Sequence, residues 1–476
     1  MYQRVLVLNF PKIALEAPPL ACALLCEICN KNKVDYDFID CNAEFYQQLP
    51  DSIKDEILSL YSAKLVDQLS DTAESWLDKY FTNLAEKCKD YELIAISVFS
   101  SHSISIVNKF LKDHRHKFKS DVVIGGAGIH TQVEIGKKFY QLLKEQQLID
   151  YWVLGEGEIG FDDILNKNFT STSINNHQFN NLKNFELVPA PNFEKFKLED
   201  YLYNGKRIIG VEGSRGCVRK CTFCNIHSTW GSYKYKDGES LSQELLALKE
   251  QYNVDHFWFN DSLINGSLKS FRSFISHLAA HRKNNFTWSS QAIIRQKTLQ
   301  DEDDFRMLKD SGCETLAVGL ESFSQSVRFH MGKKFTDADV DSFFNLAQKY
   351  NISLFLLMII GYPTETDQDF EHSLRQLEKY QHLADDSTIT GIRVGGTMTI
   401  SPDMPLYNMR DQLKIEYKEQ SFFNNIDWKV GDNTLNKRVQ LRVEFEDYAR
   451  YLGYQCADPE MQVEEILLKY LKIHSS

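Results

Sequence analysis

Along the first 165 or so residues, short apolar runs alternate with stretches in which apolar positions recur every three to four residues. The runs Val5–Asn9, Tyr36–Asp40, Leu93–Phe99, Val122–Gly126 and Tyr151–Leu154 predict strands. The periodic stretches near Pro19–Asn32, His102–Lys117 and Gln132–Gln146 predict helices between them. From Glu44 to Asp90, with Ile53, Ile57, Leu58 and Leu60 in helical register, the pattern predicts an inserted helical hairpin. Strand–helix alternation of this kind predicts an α/β fold with a doubly wound, mostly parallel sheet. Such sheets take ligands beyond the carboxyl ends of their strands. The loops Ser97–Ser101, Gly125–Gly128 and Gly155–Glu158 follow strands directly, and their small residues leave room for a ligand against backbone N–H groups.

Residues 166 to about 205 read as a polar connector, asparagine-rich from Asn166 to Asn184 and ending in Val188-Pro-Ala-Pro-Asn-Phe193. A second strand–helix series starts at Ile208, with strands predicted at Ile208–Glu212, His256–Asn260, Thr287–Gln291, Thr315–Leu320, Ser353–Ile360 and Gly391–Thr399. After Asp411 aromatics mix with charges, and Val463–Ile473 has helical spacing. The expected organisation is therefore residues 1–165, a linker 166–205, a second domain 206–410 and a small, mostly helical C-terminal segment 411–476.

Composition narrows the function classes. Of the 476 residues 43% are hydrophobic and 25% charged, as in an ordinary globular protein. The longest apolar run, Leu354–Ile360, is too short for a membrane span. A net charge of −12 without a basic block argues against a nucleic-acid partner. The N-terminus has no signal-peptide pattern. Ten cysteines without such a signal read as cytoplasmic thiols and metal ligands, not disulfides.

Three of those cysteines carry the chemistry. Cys217, Cys221 and Cys224 lie in Gly213-Ser-Arg-Gly-Cys-Val-Arg-Lys-Cys-Thr-Phe-Cys224. Cys-x3-Cys-x2-Cys supplies one thiolate fewer than a [4Fe-4S] cluster needs, which keeps one iron open to an outside ligand. Gly213 and Gly216 allow the bend, and Arg215, Arg219 and Lys220 are placed to favour thiolates. Cys22, Cys26 and Cys29 share the spacing, but they fall at i, i+4 and i+7 of a predicted helix that starts after Pro18-Pro19. There they read as one buried apolar stripe.

The Cys217–Cys224 run, with Phe223 before the last cysteine, resembles the cluster motif of the radical SAM superfamily. The resemblance implies that the open iron chelates S-adenosylmethionine and that an electron from the cluster releases a 5′-deoxyadenosyl radical. It also implies that the second series is a partial (β/α)6 barrel with its sites at strand ends. In that reading Asn260 and Asp261 contact the methionine amino group. Glu321 and Ser322, in Gly319-Leu-Glu-Ser322, line the S-adenosylmethionine site, although a helix N-cap is an alternative for the carboxylate. Gly361 and Pro363, in Gly361-Tyr-Pro-Thr-Glu365, shape the adenine pocket, and Gln291 and Arg295 face the same cavity. The run Met331-Gly-Lys-Lys334 to Thr336 reads as a structural helix start, and Ser401–Tyr407 as the segment that closes the barrel. The residues after 411 are expected to cap the barrel mouth, with Phe422, Phe423, Trp428, Tyr448 and Tyr451 mainly in core packing and Cys456 without a chemical role.

The first third resembles the cobalamin-binding domain that precedes many radical SAM domains. Leu8-Asn-Phe-Pro11, Ala17-Pro-Pro19, Ile96-Ser97, Gly125-Gly126 and Leu154-Gly-Glu-Gly-Glu158 carry that resemblance. It implies cofactor contacts from Ser97, Ser100, Gly125, Gly126, Gly155, Glu156, Gly157 and Glu158. No Asp-x-His-x-x-Gly follows the first strand, so no axial histidine is expected from that loop, and His102 and His130 read as solvent-facing. A domain that has lost its ligand and only docks is the alternative. Together these features imply an enzyme that uses a [4Fe-4S] cluster, S-adenosylmethionine and cobalamin to methylate or otherwise modify an unactivated carbon. Its partners would be a small-molecule or peptide substrate and a flavodoxin- or ferredoxin-type one-electron reductant. No catalytic side chain is assigned. The alternatives are a radical enzyme without cobalamin (a cyclase, rearrangement or methylthiotransferase type) and a non-catalytic cluster-binding protein.

Overall fold

The computed structural model describes all residues except 12–14, 16, 59–68, 101–102, 135, 178–180, 204, 283–285, 300, 396–397, 418–426 and 457–476. His102, Phe422, Phe423, Leu60, Ser101 and the expected helix 463–473 therefore lie outside the described residues. The chain forms two compact units, Met1–Val211 with Leu248–His256, and Glu212–Ala247 with Phe257–Ser476.

In the first unit β1 (Arg4–Asn9), β2 (Asp35–Asp40), β3 (Leu93–Ser97), β4 (Asp121–Gly125) and β5 (Tyr151–Val153) form one parallel sheet in the order β2-β1-β3-β4-β5. This is a doubly wound order that reverses direction next to β1. Every residue of β3 is buried, as are Val5 to Leu8 of β1. Helices cover both faces of such a sheet, which is why these strands read as continuous apolar runs. The insert after β2 contains three helices among the described residues, Cys41–Gln48, Asp51–Leu58 and Asp71–Cys88, not a two-helix hairpin. Ile53 and Ile57 enter the core there.

Two further details depart from the sequence pattern. The helix expected from Gln132 begins only at Phe139. Gln132–Glu134 and Lys137–Lys138 instead pair antiparallel across Gly136, whose φ of +74° suits a turn and not a helix. The connector is not a free tether either. Its Leu182, Phe185 and Val188 pack with Leu20 and Leu24 of the helix Leu20–Lys31. Cys22, Cys26 and Cys29 lie fully buried on that same helix, as core residues.

The chain enters the second unit from β6 (Lys206–Val211). Within that unit β7 (His256–Phe259) lies beside β8 (Thr287–Ala292), and β8, β9 (Cys313–Glu321), β10 (Ser353–Met358) and β11 (Ile389–Val394) pair in parallel in chain order. The helices Leu268–His281, Glu302–Asp310, Asp337–Lys349 and Asp367–Lys379 alternate with these strands. The last three start with capping boxes, Asp301 with Asp304, Thr336 with Asp339 and Thr366 with Asp369, which satisfy the first N–H groups of each helix. Leu316, Val318 and Leu320 of β9 and Leu354, Leu356 and Met358 of β10 are buried against those helices. The intervening residues are only partly covered. The sheet is thus a curled half-barrel with one packed face and one open inner face. No helix among the described residues is long and apolar enough to cross a membrane.

Candidate iron–sulfur and nucleotide site

The loop after β6 is held at its root, its middle and its far end. At the root the buried Asp261 accepts hydrogen bonds from Gly213 N–H and the Ser214 hydroxyl. Next, Ser214–Arg215 pairs antiparallel with Lys234–Tyr235. Gly216 follows with φ +83°, and a Cβ there would sit 3.1 Å from the Ser232 carbonyl. At the far end Thr222 N–H donates to Met331 O (3.0 Å), and Thr222 O accepts from Leu406 N–H (2.8 Å). The Thr222 and Tyr362 hydroxyls are 2.7 Å apart.

This scaffold presents three free thiols, with Cys221 buried and Cys217 and Cys224 half-buried. Burial pushes Cys221 up to about 11 against the pull of Lys333, and burial likewise raises Cys224. Thiols in such a place stay protonated until a metal displaces the proton. Among the described residues no group of three or more His, Cys, Asp or Glu converges on a single ion. A cubane binds each thiolate through a different iron, so its ligands stand farther apart than those of one ion. Three cysteines on one braced loop fit that group.

A cation that the sequence did not single out acts on the buried Cys221, while Arg219 stays at the loop with its backbone N–H 3.3 Å from Cys217 Sγ. Arg215 is tied to Glu212 (2.7 Å) and lies over the Trp230 ring, and Lys220 is exposed. Lys333 is that cation. Its Nζ is 2.9 Å from Glu321 Oε1 and 2.6 Å from the Gly319 carbonyl, with both side chains largely buried. Glu321 ends β9 with φ +67°, at a slip in the β9–β10 register. A non-glycine residue held in that region marks stored strain, which concentrates at functional sites. A Cβ on Gly319 would come within 2.6 Å of Glu321 Oε1 and 2.7 Å of Lys333 Nζ, so a larger residue there would displace the pair from its present position. Gly332, with φ +83°, lies against Lys220 O. The Met331–Lys334 run, expected to be structural, thus backs the cysteine loop and supplies its buried cation. The run was visible in the sequence, but its charge gave no sign of facing the sulfurs.

The other expected contacts separate into two groups. Asn260 and Gln291 are exposed at the open inner face, where a ligand could reach them. Asp261, expected at the methionine amino group, is instead committed to the loop root, and burial pushes its carboxyl up to about 7. Ser322 is buried, its hydroxyl accepts from Ser324 N–H (3.1 Å), and its carbonyl accepts from Arg328 (2.9 Å), so it shapes a turn. Phe223 packs against the cluster around Met331, Tyr362 and Trp428, under the Lys333 ammonium. Arg295 donates to the carbonyls of Asn265 and Gly266 instead of standing free in the cavity.

Gly361 has φ +81° and faces the Arg438 side chain, while its N–H donates to Glu365. Burial raises the Glu365 carboxyl to about 7. The C-terminal region holds this turn from outside. Asn433 Nδ2 donates to Gly361 O (3.2 Å) and Tyr362 O (3.3 Å), and the Arg438 guanidinium stacks 3.6 Å from the Trp428 ring centroid. Pro363, within the turn, is buried. Trp428 is a core residue, as its sequence context suggested, whereas Tyr451 is exposed.

In the first unit, two of the small residues after the strands have a packing role. A Cβ on Gly126 would lie 2.5 Å from Val98 O, and one on Gly128 2.6 Å from Ser100 O. These glycines let two loops touch each other. Gly125 ends β4 and Ser97 ends β3 in register with it. Gly155 turns the chain with φ +81°, and the buried Glu156 accepts from Leu182 N–H. Gly157 is open, with nothing within 4 Å of where a Cβ would sit, and Glu158 begins the helix Glu158–Leu165. Two features do suit a ligand at this edge. Phe99 is 60% exposed, and Ser100 Oγ is buried without a hydrogen-bond partner among the described residues. His130 is engaged by Lys138.

Comparison with known proteins agrees with this geometry. Residues 211–377 match the radical SAM superfamily. An uncharacterized methyltransferase of Pyrococcus horikoshii is 22% identical over 343 residues, which cover 67% of this chain and 70% of that protein. Among solved structures, the radical S-adenosylmethionine methyltransferase TsrM of Kitasatospora setae superposes with a TM-score of 0.63 at 16% identity, covering 88% of this chain and 79% of that one. The cobalamin-dependent S-adenosylmethionine radical enzyme OxsB gives 0.66 at 14% identity, covering 99% and 76%. Residues 211–377 thus carry the radical SAM match, and the chain as a whole shares the fold of TsrM and OxsB.

Proposed function

We propose that this protein is a cobalamin-dependent radical SAM enzyme that methylates, or otherwise modifies, an unactivated carbon of a small-molecule or peptide substrate. The observation that carries the reading is the cysteine loop itself, rooted by Asp261 and backed by the buried Lys333–Glu321 pair. When bound, the cluster supplies an electron that cleaves S-adenosylmethionine to a 5′-deoxyadenosyl radical, and cobalamin supplies a transferable methyl group. Cys217, Cys221 and Cys224 would hold the cluster. Glu321 and Lys333 offer one carboxylate and one ammonium beside it, a complement for the amino and carboxylate groups of an amino-acid moiety. The Gly361–Glu365 turn, fixed by Asn433 and Arg438, offers backbone groups to a base. Asn260 and Gln291 face the open side of the half-barrel.

Ser97, Ser100, Gly125, Gly155, Gly157 and Glu158 lie at or just beyond the carboxyl ends of the first sheet, where cobalamin would lie. The orphaned Ser100 hydroxyl and the exposed Phe99 support this. The close packing of Gly126 and Gly128 favours a second reading, radical chemistry with the first unit as a scaffold alone. Anaerobic reconstitution tests both. Iron, cobalt near one per chain and 5′-deoxyadenosine from S-adenosylmethionine with a reductant are expected. Iron and 5′-deoxyadenosine without cobalt would select the scaffold reading, and iron-free protein would overturn both.

A further inference from the structure

The inner face of the half-barrel carries an arginine that makes no ion pair or hydrogen bond among the described residues, Arg393. Along β11, Ile389, Ile392 and Val394 are buried against the helical side, whereas Arg393 is exposed. In the parallel register Arg393 is the partner of Leu357, and Leu357 is the partner of Gly319. The three therefore share one cross-strand row on the inner face. Gly319 is the glycine that makes room for Glu321 and Lys333. Two strand spacings, roughly 10 Å, separate the backbone at Arg393 from the backbone at Gly319.

Around Arg393 the wall is apolar. Phe355 and Leu357 are the half-buried residues of β10 on this face, and the guanidinium lies 5.7 Å from the Phe355 ring centroid. Glu321 on the same face is already paired with Lys333, and Glu212 with Arg215. Arg393 has no ion pair and no hydrogen bond among the described residues.

We infer that Arg393 is a substrate-binding residue, and that the substrate of this half-barrel bears a carboxylate or phosphate on an apolar or aromatic body. This rests on the proposed radical SAM reading. Arg393 in water needs no partner. A substrate seated on Leu357 and Phe355 strips that water away, and a neutral substrate would leave a desolvated charge uncompensated. An oxyanion meets the planar guanidinium fork in two parallel hydrogen bonds. The body of such a substrate lies along the row toward Gly319, which brings it to the Glu321–Lys333 pair beside the thiols.

Arginine-selective modification tests this directly. The full chain, reconstituted anaerobically, is treated with phenylglyoxal, and modification at Arg393 is followed by peptide mass spectrometry. Arg375, exposed on the helix Asp367–Lys379, serves as the internal reference. Arg393 is expected to react readily. Millimolar 3-phenylpropionate should slow it at least threefold with Arg375 unchanged, and 3-phenylpropanamide should not. Phenyl phosphate in a parallel arm shows which oxyanion is held better. An unreactive Arg393, covered by the chain's own carboxylates, would overturn the inference. So would equal protection by acid and amide, or protection by neither acid nor phosphate. Selective protection in a protein that never cleaves S-adenosylmethionine would leave the anion site standing and remove the radical SAM function.

Discussion

The glycine-rich loops of the two units look alike in the sequence and are built differently. In the first unit Gly126 and Gly128 bring the backbone at 98–100 against the backbone after β4, so these two glycines serve the packing of the chain on itself. In the second unit Gly319 makes room for a buried carboxylate and ammonium, and Gly216, Gly332 and Gly361 turn the chain around that pair and the thiols. A run of small residues after a strand therefore does not by itself identify a binding loop. A buried ion pair beside a glycine is the more telling sign, because taking two charges out of water costs stability that their attraction does not always repay.

Substitutions can break this contrast, and the largest effect should come from the thiols. Cys221→Ala should bring both reconstituted iron and 5′-deoxyadenosine formation to background while the far-ultraviolet circular dichroism stays native. Iron retained at the native level would show that the loop is not the ligand set. Lys333→Met comes next, since it strands Glu321 in a largely buried place; about 3–5 kcal/mol of unfolding free energy should be lost in denaturant titration. A loss below about 1 kcal/mol would mean that solvent already screens the pair.

Asp261→Ala leaves the Gly213 N–H without its acceptor, while the Ser214 hydroxyl keeps Leu263 O, and should cost about 1–3 kcal/mol, together with part of the iron content. Asp261 also predicts a pH dependence. Its carboxyl is raised to about 7 in the fold, so the folded state holds the proton more tightly than the unfolded chain does. Stability should then fall as pH rises from about 4 toward 7 and level off above. The buried Glu365 adds to the same slope. Asp261→Asn should flatten part of that fall, and an unchanged slope would show that Asp261 stays ionised.

In the first unit the contrast is smaller but sharp. Gly126→Ala meets both a φ of +98° and a carbonyl at 2.5 Å, and should cost about 1–3 kcal/mol. Gly157→Ala, in open space, should stay within about 0.5 kcal/mol. Equal effects in thermal unfolding would erase the distinction.

Much of the architecture was legible in the chain because the first sheet is parallel and buried, so its strands read as apolar runs, and the strands of the second, packed on one face, still alternate with helical stretches. The cysteine spacing likewise named its own chemistry. What escaped depends on where side chains point. The Asp261 position after β7 matched a ligand contact, but its carboxylate turns back to Gly213 and Ser214, a direction no pattern encodes. Ser322 sits in a recognisable run, and its hydroxyl serves Ser324. Lys333 looked like part of a helix start because its partners Glu321 and Gly319 are 12 and 14 residues away in the chain. The helix drawn through Gln132 to Gln146 ignored Gly136, whose left-handed backbone forms a hairpin there.

An incompletely closed barrel ends in a strand whose outer rim offers amide and carbonyl groups to any passing sheet. Here Gln455 supplies its carbonyl to Ile392 N–H at 2.8 Å, Cys456 bridges to the same residue, and Gly391 is bare so that the strip can approach. The chain has in effect plugged part of its own adhesive border, which removes a template for neighbouring strands while the barrel stays open.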